Sequence, residues 1–320
     1  MHIFISDLKE GQYIESVYLV RERSFDTAKN GSQYMSLELA DKTGMVDARM
    51  WDASKKTYDS FNVDEFVKVK ARVESYRSYP QLKLDSIHKM DDSSINISLY
   101  LPTVSQDIEE MFSSFLKEIT SIKNPFIKKL LENIFLDKEI QRKFKRSPAA
   151  TDFHHPYIGG LLEHTLSSVV LSKTIASKYA DINTDLLIAG AALHDIGKME
   201  ELSYSRSFYY NDKGRLIGHI VLGVNMIEKK IDQIDNFPEE IKNLIIHLVL
   251  SHHGEYEWGS PKRPMCLEAI VLHYVDNIDA KVNGFKQFVT TYNDPDTNWT
   301  KHSKMFKEFL YKKSLSKEGE

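Results

Sequence analysis

The sequence is poor in cysteine, in long apolar runs and in any large excess of one charge. Its one cysteine, Cys266, excludes an internal disulfide and a thiolate metal cluster, and it favours a reducing cytoplasm. No apolar run approaches the roughly 20 residues that a membrane-spanning helix needs, so we expect no membrane partner. The first residues lack the basic and apolar regions of a secretory signal. These absences predict a cytoplasmic protein.

The composition is typical of a folded protein with more than one domain. Hydrophobic residues make up 42% of the 320 positions, and aromatic residues 11%, which is enough to form buried cores. Lys and Arg number 42 against 46 Asp and Glu, a net charge of −4, and the mean hydropathy is −0.39. At about 100–200 residues per domain, this length predicts about two domains.

Residues 1–91 consist of short segments that are typical of strands. Residues 34–40 alternate apolar and polar side chains with period two, and a turn at 41–44 separates them from the next strand. One helix, at 54–61, is expected between the third and fourth strands. Five strands in this order predict an OB-fold barrel. The strands are expected at 13–20, 34–40, 45–51, 66–73 and 80–84.

Barrels of this class bind single-stranded nucleic acid by stacking bases on aromatic side chains beside basic ones. Tyr34, Trp51 and Arg49 are the candidates for such contacts. Aromatic side chains in a small barrel also form its core, and this alternative stays open.

The chain changes character after residue 91. Residues 92–103 are predicted to be a linker, and apolar residues then recur at helical spacing, which predicts an all-α domain over 104–300. Within it, 207–217 is typical of a β-hairpin. Residues 301–320 are predicted to form an amphipathic helix with a polar tail.

Histidines and aspartates gather between residues 153 and 281, at the ends or inner faces of helices that otherwise look buried. A buried carboxylate beside histidines is costly unless it is paired or holds a metal. Independent structural histidines have no reason to adjoin Asp195 or to be doubled at 252–253. Imidazole and carboxylate without thiolate suit Mn, Fe, Co, Ni or Zn. Gly197 is expected in the left-handed conformation that ends a helix. The cluster consists of His164, His194, Asp195, His219, His252, His253 and Asp276.

The motif Leu-His-Asp-Ile-Gly-Lys at 193–198, with His164 before it and Asp276 after it, resembles the HD-domain superfamily of metal-dependent phosphohydrolases. His219 and the pair at 252–253 resemble the binuclear branch of that superfamily. The Gly-Tyr-Pro extension of the cyclic-dinucleotide HD enzymes is absent after this pair.

Three longer stretches, 153–165, 251–255 and 273–281, are similar to the YhaM-type 3′–5′ exoribonuclease family, which joins an N-terminal OB-fold to an HD domain. The resemblance implies two divalent transition-metal ions, Mn first, with Co, Fe, Ni or Zn as alternatives. It assigns His164, His194, Asp195 and Asp276 to one ion, and Asp195, His219, His252 and His253 to the other.

The same resemblance makes Asp195 and Lys198 the catalytic residues. Asp195 bridges the ions and Lys198 meets a phosphate oxygen, although a lysine at this place also suits the end of a helix dipole. His154 and His155 are expected along the substrate path, where they bind substrate, or behind the metal ligands.

The implied function is a metal-dependent 3′–5′ exoribonuclease that releases nucleoside 5′-monophosphates from single-stranded RNA by two-metal hydrolysis. Single-stranded DNA as a second substrate and a homo-oligomer stay open. The alternatives are a nucleotide or cyclic-nucleotide phosphohydrolase with a regulatory OB-fold, and a nucleic-acid-binding module whose HD site is only structural.

Overall fold

A computed structural model of the chain describes residues 2–28, 31–76, 79–151, 155–204, 207–291 and 297–315. The chain divides into two compact units, one at Met1–Thr103 and the other at Val104–Tyr204 and Phe208–Glu320. The predicted fold class, a small β-barrel followed by a helical domain, is confirmed. No helix among the described residues is long and apolar enough to cross a membrane.

The first unit is a closed barrel of five strands. Its strands are β1 (Tyr13–Thr27), β2 (Gln33–Asp41), β3 (Gly44–Trp51), β4 (Phe66–Tyr76) and β5 (Tyr79–Lys89). They follow the order β1-β2-β3-β5-β4, and the parallel pairing of β3 with β5 contributes to closure. The predicted helix between the third and fourth strands is α1 (Lys55–Tyr58), which begins where the Ser54 hydroxyl accepts from the Thr57 amide.

Alternate residues of the strands fill the barrel, as period-two patterning requires. Ile14, Leu39, Val69 and Leu82 are all buried there. The segment predicted as a linker packs on the same unit, because Tyr100 is buried with its ring centroid 4.7 Å from that of Phe66. Residues 92–103 are therefore part of the barrel unit rather than a bare tether.

The second unit is a bundle of helices around one large core. Its helices are α2 (Ile108–Thr120), α3 (Pro125–Phe135), α4 (Lys138–Phe144), α5 (Gly160–Ala176), α6 (Thr184–Leu193), α7 (Lys198–Glu201), α8 (Asp212–Leu216), α9 (His219–Ile231), α10 (Glu239–Ser251) and α11 (Leu267–Thr291). Local sequence explains several starts: Asp107, Asn124 and Asn183 accept backbone hydrogen bonds at the N-termini of α2, α3 and α6. Phe115, Phe135 and Phe144 pack ring to ring in the core.

The hairpin predicted at 207–217 is wrong. β7 (Tyr209–Tyr210) pairs instead with β6 (Leu202–Ser203), upstream in the chain. The residues expected to form the turn begin α8, because the Asn211 side chain accepts from the Gly214 amide and so caps a helix.

The C-terminal helix predicted at 301–320 is also wrong. β8 (Trp299–Ser303) and β9 (Glu308–Tyr311) form an antiparallel hairpin, and residues 316–320 lie outside the described part of the chain. Thr300, Ser303 and Leu310 are the buried residues of the hairpin, and a register shift between Trp299 and His302 interrupts strict alternation in β8. Leu310 packs with Phe288 of α11, and this tertiary contact favours strands in a short segment.

Candidate metal centre

Three helices of the second unit bring the first half of the His–Asp cluster together. α6 is buried on every side, so its C-terminal end delivers His194 and Asp195 into the interior. The Nε2 atom of His164, from α5, lies 3.4 Å from Asp195 Oδ2 and 3.0 Å from His194 Nε2. Asp276, from α11, places its Oδ1 atom 3.3 Å from His164 Nε2.

The second half of the cluster faces Oδ1, the other carboxylate oxygen of Asp195. His219 Nε2, at the start of α9, is 3.5 Å from Asp195 Oδ1, and His252 Nε2, just after α10, is 3.7 Å from it. The ligand atoms of His219, His252 and His253 lie within 4.8 Å of one another. Asp195 therefore faces one group of side chains with each oxygen.

In each of these five histidines, the Nδ1 atom makes a hydrogen bond to an acceptor within the protein. Carbonyl and carboxylate oxygens can only accept, so Nδ1 carries the hydrogen and Nε2 is the atom that faces the centre. Nδ1 donates from His164 to Asp279 Oδ2 at 2.7 Å, from His194 to Ala191 O at 3.0 Å, from His219 to Glu201 Oε1 at 3.1 Å, from His252 to Val249 O at 2.7 Å and from His253 to Trp258 O at 2.9 Å.

The atoms that point into the centre fit a cation. Within the described part of the chain, Asp195 Oδ1, His219 Nε2 and His252 Nε2 are buried and make no hydrogen bond. Each such atom costs about 1–3 kcal/mol when left unsatisfied. The Nε2 atoms of His164 and His194 also lie 3.0 Å apart, a contact that is favourable only with a proton or a metal cation between the two nitrogens. The donors are imidazole and carboxylate, the set that divalent transition metals accept.

The electrostatics of the two halves differ. Burial lowers the pKa of His252 and His253, and neighbouring histidines lower both further, so these rings are neutral at pH 7. Burial also lowers the pKa of His164, but hydrogen bonds to Asp195 and Asp276 outweigh it and raise that pKa well above its usual value. The surroundings of His164 thus favour a positive charge.

Lys198 lies at the edge of the centre. Its Nζ donates to Asp195 Oδ2 at 2.6 Å, and although burial lowers its pKa, the charge of Asp195 raises it overall. Both residues line a cavity of about 220 Å³. Trp258, His273 and Asn277, which the sequence patterns did not single out, line the same cavity. Asn277 directly follows Asp276, and this adjacency is the signal that would have found it.

His155 supports the centre from behind. It is only 2% exposed, its Nε2 lies 2.9 Å from Asp279 Oδ2 and its Nδ1 lies 2.7 Å from Glu163 Oε2. Asp279 in turn accepts from His164. Both ring nitrogens are engaged by carboxylates, an arrangement consistent with the expected place behind the metal ligands. His154 lies outside the described residues.

Of two residues near the His-Asp motif, one was predicted wrongly and the other was not predicted. Gly197 has φ −64°, so the left-handed conformation expected there is wrong. The glycine is needed for close approach instead, because a Cβ would lie 1.9 Å from the His219 carbonyl oxygen. Glu201 is buried and accepts from both the amide and the Nδ1 atom of His219. No spacing rule points to Glu201, since it acts through a tertiary contact.

The barrel residues predicted to touch nucleic acid form a separate patch in the first unit. Tyr34 on β2 pairs with Trp51 on β3, and their ring centroids are 5.2 Å apart. The Arg49 guanidinium lies 5.8 Å from the Tyr34 ring. Trp51 is 43% exposed, so it is not a core residue, whereas Tyr18 is completely buried. We call Tyr34, Arg49 and Trp51 the barrel patch.

Comparison with known proteins matches both units. The HD domain family matches residues 161–281, and an OB-fold nucleic acid binding domain matches residues 18–90. The 3′–5′ exoribonuclease YhaM of Bacillus subtilis (strain 168) is 38% identical over 274 residues, which cover 85% of this chain and 86% of the relative. The protein of the same name from Geobacillus sp. (strain WCH70) is also 38% identical over 274 residues, covering 85% and 84%.

Proposed function

We propose two-ion phosphodiester hydrolysis of single-stranded RNA for this chain, which belongs to the YhaM family of 3′–5′ exoribonucleases and is a metal-dependent nuclease. Its barrel is a nucleic-acid-binding domain. The observation that carries the two-ion proposal is Asp195, whose two oxygens face separate groups of imidazoles. Among the described residues, Asp195 Oδ1, His219 Nε2 and His252 Nε2 make no hydrogen bond.

The residues divide into two ligand sets that share one carboxylate. One set is His164, His194, Asp195 and Asp276, and the other is Asp195, His219, His252 and His253. When bound, divalent ions supply a water of lowered pKa and neutralise the charge that develops on the phosphodiester.

The side chains around the cavity position the substrate. Lys198 presents a compact cation beside Asp195, where it can meet a phosphate oxygen. Trp258 and His273, with ring centroids 5.8 Å apart, give the terminal base a surface for stacking. Water attacks the last phosphorus, and the bond from phosphorus to the 3′ oxygen of the preceding nucleotide breaks. The strand keeps a 3′-hydroxyl, and the terminal nucleotide leaves as a 5′-monophosphate.

We further propose Mn²⁺ as the resident ion, in a cytoplasmic enzyme. The mixture of carboxylates with neutral imidazoles supports Mn²⁺ over Mg²⁺, which prefers oxygen ligands alone. Exposed Ile270 and Tyr274 on α11 are compatible with self-association, which sedimentation of the purified protein would test.

One gel tests the substrate and the direction of degradation. A 5′-labelled single-stranded RNA, its DNA analogue and a cyclic dinucleotide are each incubated with the protein and Mn²⁺, Co²⁺ or Mg²⁺. We expect RNA to shorten stepwise from the 3′ end with release of 5′-monophosphates, and a 3′-phosphorylated RNA to resist. Faster turnover of the cyclic dinucleotide would favour the alternative phosphohydrolase. Elemental analysis should find two ions per chain, and a single ion would contradict the two-ion proposal.

A further inference from the structure

The C-terminal hairpin presents aromatic rings on its outer side. In the pairing of β8 with β9, Trp299 lies opposite Tyr311 and His302 opposite Phe309. The ring centroids are 5.1 Å apart in the first pair and 5.5 Å in the second. Trp299 is 51% exposed and Phe309 55%. We call these four residues the hairpin face.

The opposite side of the hairpin anchors it to α11. Leu310 is buried with Phe288 and Val289 of that helix. Gly284 lies directly under the turn, where an added Cβ would be 3.0 Å from the sulfur of Met305. The outward rings are therefore held by a packed inner side, and core formation does not account for their exposure.

The hairpin is also the site of a local positive charge. Between residues 299 and 313 there are five lysines and one glutamate, in a chain whose net charge is −4. Lys304 and Lys307 are exposed in the turn, at one end of the hairpin face. Exposed rings beside lysines are the combination that binds single-stranded nucleic acid without sequence preference: bases stack on the rings and phosphates meet the cations.

We propose that the hairpin face is a second binding surface for single-stranded RNA, in addition to the barrel patch. The proposal rests on the proposed exoribonuclease function, and it concerns residues outside both matched domains, which end at 90 and 281. α11 connects this surface to the metal centre, since Asp276 precedes Phe288 by 12 positions, or about 18 Å of helix. A strand several nucleotides long can contact both, and a dinucleotide cannot.

Fluorescence anisotropy in EDTA tests the proposal without hydrolysis. A 5′-fluorescein 20-nucleotide oligoadenylate is titrated with the full chain, with the double variant Trp299→Ala and Phe309→Ala, and with Trp299→Phe. Loss of base stacking should raise the Kd of the double variant at least about five-fold, whereas Trp299→Phe keeps a ring and should stay close to the parent. The matched control is Tyr179→Ala, which removes a ring that is 62% exposed elsewhere in the same unit and should change nothing.

Two further measurements separate stacking from charge and from folding. Lys304→Gln with Lys307→Gln should reduce the slope of log K against log salt by about 0.7 for each lost phosphate contact. Hydrolysis of a dinucleotide with Mn²⁺ should be the same in parent and double variant, which shows that the metal centre is intact.

An unchanged Kd in a folded double variant, while the parent degrades RNA, overturns this inference alone. If the double variant instead changes the sedimentation coefficient and not the Kd, the face is a contact between copies of the chain, and the inference is likewise wrong. A parent chain that neither binds nor degrades RNA would overturn the proposed function, and this surface with it.

Discussion

The metal centre and the barrel patch are built in opposite ways. In the metal centre the side chains are buried, and each imidazole is fixed through Nδ1 by a protein acceptor. In the barrel patch, strand register places Tyr34 beside Trp51, and the Tyr34 side chain is half-buried while that of Trp51 is exposed. The first arrangement tolerates almost no change, because buried polar groups must keep their partners. Binding by the barrel patch depends on the area of its rings, so successive substitutions should weaken that binding gradually.

The sharpest contrast should come from Asp195→Ala. This change removes the carboxylate that both groups of histidines share, so we expect RNA hydrolysis with Mn²⁺ to fall by about 10³-fold or more. Initial rates on labelled RNA measure the effect, with Asp235→Ala, an exposed aspartate of the same unit, as the control. A rate within ten-fold of the parent would remove the distinction between the two regions.

Lys198 tests whether the cavity edge acts on substrate or only balances Asp195. If its ammonium meets the phosphate, Lys198→Met should lower kcat by about 10²-fold while the ion content of the protein stays at the parent level. Lys198→Arg retains the charge in a different shape and should recover part of the rate. Loss of ions from Lys198→Met, found by elemental analysis, would show instead that the lysine only supports the ligand.

A smaller effect is expected for a residue that contacts a metal ligand but is not itself one. Glu201→Ala removes the acceptor that fixes His219, and the concentration of Mn²⁺ for half-maximal activity should rise by about 10- to 100-fold. Glu201→Gln retains an acceptor oxygen and should lie between this variant and the parent. The neighbouring Glu200 pairs with Lys143 and Lys213, so Glu200→Ala should leave the Mn²⁺ requirement unchanged. Equal effects of the two alanine variants would argue against the positioning role.

The barrel patch should give the smallest change. Trp51→Ala removes one stacking surface, so the Kd for single-stranded RNA should rise about five-fold or somewhat more, with no change in the Mn²⁺ requirement. Anisotropy with labelled RNA in EDTA measures this, and Tyr13→Ala, which alters a ring 60% exposed on β1, is the control. An equal loss in both variants would mean that the patch has no special role.

The same contrast explains what could be predicted from the sequence. The strand order of the barrel and the convergence of His164, Asp195 and Asp276 were predictable, because period and motif spacing carry that information. Glu201 was not, since its carboxylate meets His219 only in the folded chain. The hairpin at 299–311 was missed because its strands are short and are stabilised by packing on α11.

The fixed Nδ1 hydrogens have a consequence for how the centre is filled. Because the acceptors hold each ring in place, the histidines do not have to reorient to receive ions. What they must give up is any proton held at Nε2, chiefly that of His164, whose pKa is raised. Filling the centre is therefore an exchange of protons for ions, and its apparent affinity should weaken as the medium becomes acidic. Mild acid should empty the nuclease of its ions while the barrel, which takes no part in this exchange, stays folded.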